Sequence, residues 1–364
     1  MDGDSLPNLL AINVEAITLG SVKMYQVLEN WVGGFEGSSY NLYLCLLLLA
    51  IAGGLFFLIK GGDWLSEHSS QLAEILGVPQ VIVGLTIVSI ATSAPELFTS
   101  ISALRSNAPG LVLGNIIGSN IANIGLILGI SLLIGNINTN GRVSLSQRIC
   151  LGVITCIFCG ILHFHPHQEI GLYSGSTFLL FIFLYLALIS RNALSTKSKS
   201  ASKDHQASDS KDQTGNLPFS IVMLALATVI LWMGSESLVY GAKNVAEIAG
   251  VPEELIGFTL LALGTSLPEL SASISLVRKQ RTAMLLGNIL GSNLFNIALI
   301  GGVAGVIGPV GNQSPSPWVD YLSLLLITAL FLYWLKGKVL GKTQGVILLL
   351  LYLGACIATW VLNT

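Results

Sequence analysis

One stretch of the sequence occurs twice, and this doubling constrains the fold more than anything else in the chain. Residues 84–129 read GLTIVSIATSAPELFTSISALRSNAPGLVLGNIIGSNIANIGLILG, and residues 257–302 read GFTLLALGTSLPELSASISLVRKQRTAMLLGNILGSNLFNIALIGG. The two align without a gap at a constant offset of 173, with 23 of 46 positions identical. Many of the identities are polar or conformational residues set in apolar surroundings: Thr92/Thr265, Ser93/Ser266, Pro95/Pro268, Glu96/Glu269, Asn115/Asn288, Ser119/Ser292 and Asn123/Asn296. Matches at the same offset continue upstream, from Ala73-Glu74-Ile75 and Gly77-Val78-Pro79 to Ala246-Glu247-Ile248 and Gly250-Val251-Pro252, and Asp63 falls opposite Glu236. The repeating unit is therefore about half of the chain.

What such a unit can be is set by its surroundings. Only 10% of the residues are charged and 52% are hydrophobic, against about 25% charged in a soluble domain. The chain is an integral membrane protein. Apolar runs recur at the length a bilayer asks of a helix, about 20 residues. They predict ten spans, near 41–60, 78–104, 109–135, 146–164 and 171–190, then 218–240, 251–277, 282–308, 318–336 and 344–362. The expected organisation is an N-terminal segment of unreadable role (1–40), a first five-helix repeat (41–191), a linker (192–216) and a second five-helix repeat (217–364). The linker is rich in Ser, Lys and Asp and has little to bury, which predicts a mobile segment.

Because five is odd, the second half enters the membrane from the side opposite to the first. Segments joining odd to even spans hold 14 of the 17 Lys and Arg residues, leaving Lys23, Arg105 and Lys243 for the other side. By the positive-inside rule both termini lie outside and the linker is cytoplasmic. The fold expected is all-α and polytopic, ten transmembrane helices as two inverted five-helix repeats. Inverted repeats enclosing a site near the midplane are the design of secondary transporters.

The polar residues define that site. Glu96 and Glu269 lie mid-span, where a carboxylate is expensive, and no basic residue shares their spans. A cation is expected between them. Thr92, Ser93 and Glu96 fall within about one helical turn, as do Thr265, Ser266 and Glu269. Pro95 and Pro268 each disturb the helix toward the carbonyl four residues back, at Ala91 and Gly264, and a broken helix frees carbonyl oxygens. Ser119 and Asn123, like Ser292 and Asn296, are four apart and share a face. Carboxylates, hydroxyls, amides and carbonyls together suit a hard cation, Ca2+ above all, and the lack of Cys or His in this set argues against zinc and copper.

Other polar and small residues have structural readings. Gly114-x-x-x-Gly118 and Gly287-x-x-x-Gly291 fit close helix packing. Asn115, Asn120, Asn288 and Asn293 fit hydrogen-bonding glue between helices. The five Cys residues lie in apolar runs and read as reduced. Cys156-x-x-Cys159 with His163, His165 and His167 reads as the end of a helix and its loop rather than as a metal centre.

The pattern (A/G)TSxPE followed by GNxxGSNxxN, present in both halves, resembles the α-repeats of the cation/Ca2+ exchanger superfamily, in particular its prokaryotic sodium/calcium exchanger branch. The resemblance implies electrogenic exchange of several Na+ for one Ca2+ with no resident cofactor. It implies that Glu96 and Glu269 ligate Ca2+ and share Na+ sites, joined by Thr92, Ser93, Thr265 and Ser266. The carbonyls of Ser89 and Ala262 are implied too, with Ser119, Asn123, Ser292 and Asn296 completing the ring and spans 1 and 6 sliding across the other eight. One departure stands out: some members of this branch carry Asp at one of the positions held here by Asn123 and Asn296. That leaves Na+ or H+ open as the driving ion. A cell-membrane antiporter is the leading reading, an H+/Ca2+ antiporter using the same Glu pair the alternative. A channel is less fitting, because a filter must release its ions quickly. An enzyme fits least, for no nucleophile and base are paired.

Overall fold

The structure, a computed structural model, describes residues 40–105, 108–164, 169–201, 216–249, 262–311, 316–337 and 339–363. The first half contributes helices α1 (Tyr40–Leu76), α2 (Gln80–Arg105), α3 (Pro109–Ile134), α4 (Leu145–Phe164) and α5 (Leu172–Ala201). The second contributes α6 (Leu217–Ile248), α7 (Leu267–Arg278), α8 (Thr282–Ile307), α9 (Pro317–Trp334) and α10 (Lys342–Asn363). Nine of these, all but α7, are long and apolar enough among the described residues to cross a membrane. The span expected at 251–277 begins outside the described residues; what is described is a helical turn, Ala262–Gly264, followed by α7.

Two expected boundaries move. The helix expected to end near residue 60 continues to Leu76, so α1 is roughly 55 Å long at about 1.5 Å per residue. Its second half carries charged residues, Lys60, Asp63 and Glu67, which do not end the helix. Likewise α5 runs on to Ala201, well into the expected linker, whose remainder to residue 215 lies outside the described residues, as do residues 1–39. Lys, Ala and Ser carry no strong helix-breaking signal, and composition alone did not mark the end.

The chain turns out of α1 through a Schellman cap. Gly77 takes a φ of 65°, its N–H donates to Glu74, and the N–H of Val78 reaches back to Ala73. An equivalent turn closes α7, with Gln280 at φ 57° and the N–H of Arg281 donating to Leu276.

The helices bearing the doubled stretch, α2, α3, α7 and α8, form the centre, and α3 and α8 are the most enclosed. Around them the halves interlock. Helix α5 packs on α8, where Gly175 meets Gly302, and α10 packs on α3, where Gly345 meets Gly129. Two short antiparallel ladders follow the same exchange: β1 (Ile137–Asn138) pairs with β4 (Val339–Leu340), and β2 (Glu169–Ile170) pairs with β3 (Val310–Gly311). Strands β1 and β3 are separated by the repeat offset of 173, and the ladders lie at opposite ends of α4. Exchanging the halves therefore carries one end of the bundle onto the other, as inverted repeats require.

Helices α1 and α6 run antiparallel along a seam of small residues. A Cβ at Gly54 would strike the backbone at Gly234 and Leu238, one at Gly234 would strike Leu58 and Gly54, and one at Gly241 would strike Leu47 and Ile51. Ser237 Oγ donates to the carbonyl of Ala50 at 2.9 Å and Tyr43 OH to Asn244 Oδ1 at 3.0 Å. This pair meets the rest largely along α7. There Ser275 Oγ donates to Asp63 Oδ1 at 2.6 Å, Ser271 donates to the carbonyl of Leu58, and Arg281 to that of Ser66. Lys279 Nζ donates to the Asp63 carbonyl at 2.8 Å and lies 3.8 Å from the carboxylates of Asp63 and Glu67.

Candidate cation site

Glu96 on α2 and Glu269 on α7 come together at the centre, both 0% exposed. Ser93 Oγ, one turn before Glu96, donates to Glu269 Oε1 at 2.9 Å, so the hydroxyl of one copy holds the carboxylate of the other. Both oxygens of Glu96 and Oε2 of Glu269 have no hydrogen-bond partner among the described residues. Among the described residues the ion pairs join Lys243 to Glu247 and Lys279 to Asp63 and Glu67, away from this centre. A carboxylate enclosed in this way is tenable only with a cation or proton beside it.

The two copies reach this centre by different backbone routes. In α2 the chain passes through a π-helical stretch, Gly84–Val88, and then runs unbroken through Pro95 to Arg105. The break expected at Pro95 is absent. In the second copy the helix does break. Ala262–Gly264 ends at Thr265 and Ser266, and Pro268 occupies the first turn of α7, where its missing N–H costs nothing. The freed Gly264 carbonyl accepts a hydrogen bond from Ser235 Oγ of α6 and so does not face the centre as a bare oxygen. The Ser89 carbonyl takes the Thr92 hydroxyl at 3.5 Å. Ala262 opens the short turn.

Helices α3 and α8 supply the remaining groups. Asn123 and Asn296 are fully buried, and neither the oxygen nor the nitrogen of either amide has a partner among the described residues. Each lies at the start of a π-helical stretch, Asn123–Leu128 and Phe295–Ile300. The extra residue per turn breaks the regular ladder beside the amide, a distortion common at functional sites. The hydroxyls of Ser266 and Ser292 are buried without partners among the described residues, whereas Ser119 donates to Asn115 Oδ1 at 3.4 Å.

Asn115 is the hub that motif reading left as glue. Its Nδ2 donates to the Glu96 carbonyl at 3.3 Å and to Ser100 Oγ at 3.0 Å, and Thr265 of the other copy donates to its Oδ1 at 3.4 Å. Its counterpart Asn288 instead accepts from Ser89, and Asn288 Nδ2 and Ser273 Oγ have no partner among the described residues. Ser100 and Ser273 are themselves an identical pair of the repeat, which is the signal that marks them. Asn120 and Asn293 are not interhelical glue: each donates to its own helix, at Ile116 and Ile289. The glycine motifs divide. A Cβ at Gly287 would lie 2.2 Å from the Val81 carbonyl and one at Gly291 2.3 Å from that of Leu85, so α8 packs directly on α2. At Gly114 and Gly118 no described atom comes within 4 Å, and residues 254 and 258, the counterparts of Val81 and Leu85, lie outside the described residues.

Among the described residues no three His, Cys, Asp or Glu side chains form a metal cluster. Cys156 is exposed and Cys159 buried, on different faces of α4, and His165 and His167 lie outside the described residues.

A family model described as sodium/calcium exchanger protein matches residues 46–191 and 219–361, the greater part of both halves. The chain belongs to the sodium/calcium exchanger family. Its relatives include the sodium/calcium exchanger MaX1 of Methanosarcina acetivorans, 30% identical over 85% of this chain and 96% of that protein. The inner membrane protein YrbG of Escherichia coli is 32% identical over 81% of this chain and 91% of its own length. The solved structure of the sodium-calcium exchanger NCX_Mj soaked with Na+ and Sr2+ superposes with a TM-score of 0.72 at 29% identity, covering 86% of this chain and 98% of that one.

Proposed function

We propose that this family member is a secondary antiporter that exchanges Na+ for Ca2+ by alternating access. One observation carries the reading: two fully buried carboxylates, one from each copy of the repeat, present three oxygens without a hydrogen-bond partner among the described residues. Na+ and Ca2+ are the substrates, named from the relatives' exchange, and the oxygen-only donor set suits both.

In this reading Glu96 and Glu269 hold the cation, with hydroxyls of Thr92, Ser93, Thr265, Ser266, Ser119 and Ser292, amides of Asn123 and Asn296, and carbonyls of Ser89 and Ala262 as further ligands. The two halves, 41–191 and 217–364, act as inverted repeats joined by the 192–216 segment. The protein sits in the cell membrane with both termini outside, and it transports without transforming its substrates.

The test is 45Ca2+ uptake into proteoliposomes with an outward Na+ gradient, an outward H+ gradient, or neither. Uptake driven by Na+ alone, and abolished in Glu96→Gln and Glu269→Gln, is the expected result. Wild-type uptake by either variant would overturn the site. Uptake driven only by H+ would reassign the coupling ion to protons carried by the same two carboxylates.

A further inference from the structure

The two ladders are alike in backbone and opposite in charge. Residues 159–190 and 303–335, which hold β2 and β3, include no Lys or Arg, and Glu169 and Asp320 lie there. Around β1 and β4 the balance reverses: no Asp or Glu occurs in 97–168 or after Asp320, and Arg142, Arg148, Lys336 and Lys342 flank the paired strands. Pairing brings these four together. Ile137 lies opposite Leu340 and Asn138 opposite Val339, and the side-chain oxygens of Asn140 and Asn136 reach Gly337 and Gly341. Lys336 and Lys342 thus bracket the segment that runs along 136–140. Arg142 follows through the turn at Gly141, its N–H donating to the Thr139 carbonyl at 3.2 Å, and Arg148 lies in the first turn of α4.

Nothing in the described protein compensates these charges. None of the four forms an ion pair among the described residues. Lys336 Nζ sits 5.6 Å from the centre of the Tyr333 ring, and Arg148 Nε is enclosed without a hydrogen-bond partner among the described residues. Two of the cations also stand at the wrong pole of a helix: Lys342 opens α10 and Arg148 is in the first turn of α4, where the macrodipole is itself positive. An anion shared among them would relieve both costs.

The surface beside them says which kind of anion. Leu145 and Ile149 of α4 and Val339 of β4 are 62%, 53% and 62% exposed, an apolar border that suits acyl chains. Tyr333, 52% exposed, with Lys336 above it is the aromatic-and-lysine pairing of a membrane–water boundary. A soluble anion would meet the cations and leave the apolar border bare, whereas a phospholipid covers both. We propose that the β1–β4 end is a docking surface for anionic phospholipid, its headgroup phosphate held among Arg142, Arg148, Lys336 and Lys342 and its chains lying on Leu145, Ile149 and Val339. Two of the cations come from each half, so one headgroup bridges the halves where the ladder already joins them. The proposal does not depend on which ion is transported.

The experiment is native mass spectrometry of the full chain released from micelles doped with equal amounts of phosphatidylglycerol and phosphatidylcholine, reading how many of each lipid stay bound. A Lys or Arg near an anionic leaflet is worth about fivefold in attraction. We therefore expect the unaltered chain to retain phosphatidylglycerol preferentially, and Arg148→Gln with Lys342→Gln to lower that preference by about 25-fold or to abolish it. Lys60→Gln with Arg278→Gln makes the same charge change at exposed positions away from the ladder and should leave the preference in place. Equal retention of the two lipids by the unaltered chain would overturn the proposal. So would an equal loss in both double variants, which would mean diffuse surface charge and no site. Displacement of the retained lipid by inorganic phosphate would overturn the lipid in favour of a soluble anion.

Discussion

Replacing Gly287 by alanine should damage the protein. A Cβ at Gly287 falls 2.2 Å from the Val81 carbonyl oxygen and 2.8 Å from the Leu85 nitrogen. Both are backbone atoms of α2 and cannot turn aside as a flexible side chain would. Gly84 faces the same contact from the other helix, 2.1 Å from the Met284 carbonyl, so α2 and α8 touch backbone to backbone. Relieving such an overlap by shifting helices costs about 1–3 kcal/mol, a factor of about 5 to 150 in the population of this conformation. The assay is thermal unfolding of the variant in detergent, followed by Trp fluorescence, with 45Ca2+ uptake measured alongside. The midpoint should fall in Gly287→Ala. An unchanged midpoint would refute the argument that α2 and α8 touch backbone to backbone.

Other perturbations follow from single contacts. Ser235→Ala removes the hydroxyl that caps the Gly264 carbonyl at the break before α7, and leaving that buried oxygen unpaired should cost about 1–3 kcal/mol in thermal unfolding. Asn115→Ala deletes two donated bonds and two accepted ones, and should lower stability by at least about 2 kcal/mol and slow Ca2+ uptake, since it frees the carbonyl of Glu96 itself. Lys279→Met breaks two ion pairs between partly exposed side chains, each worth about 0–1 kcal/mol, and its effect on stability should shrink at high salt.

Much of this molecule could be read before its coordinates. Hydropathy supplied the membrane spans, because a bilayer imposes both the length and the internal satisfaction of every backbone bond. The offset of 173 singled out the residues that converge, because the same polar types recur in apolar helices at the same spacing. What escaped was local geometry. The π-helical stretches at Asn123 and Asn296 have no composition of their own. Pro95 and Pro268 are identical in sequence yet only one breaks its helix, since each settles according to its neighbours. Asn115 and Asn288 likewise share a motif and differ in partners, because in one conformation the two copies occupy unlike surroundings. Such differences lie in the state of the pair and are invisible to a comparison of letters.

The two ladders bear on how the molecule can move. Each takes one strand from each half, and together they cross-stitch the loops beside α3, α4, α5, α8, α9 and α10 at both ends. Neither draws a strand from a loop beside α1 or α6, which are joined to each other by their glycine seam and to the remainder mainly through the polar face of α7. Mechanically, this is a stitched frame and a stiff two-rod slider, with side-chain hydrogen bonds and part-exposed ion pairs as the friction between them. A disulfide between Ile137 and Leu340, after substitution of both by cysteine, would only retie a knot already made and should leave transport intact. One between cysteines placed at Asp63 and Ser275 would weld slider to frame, and transport should stop until it is reduced.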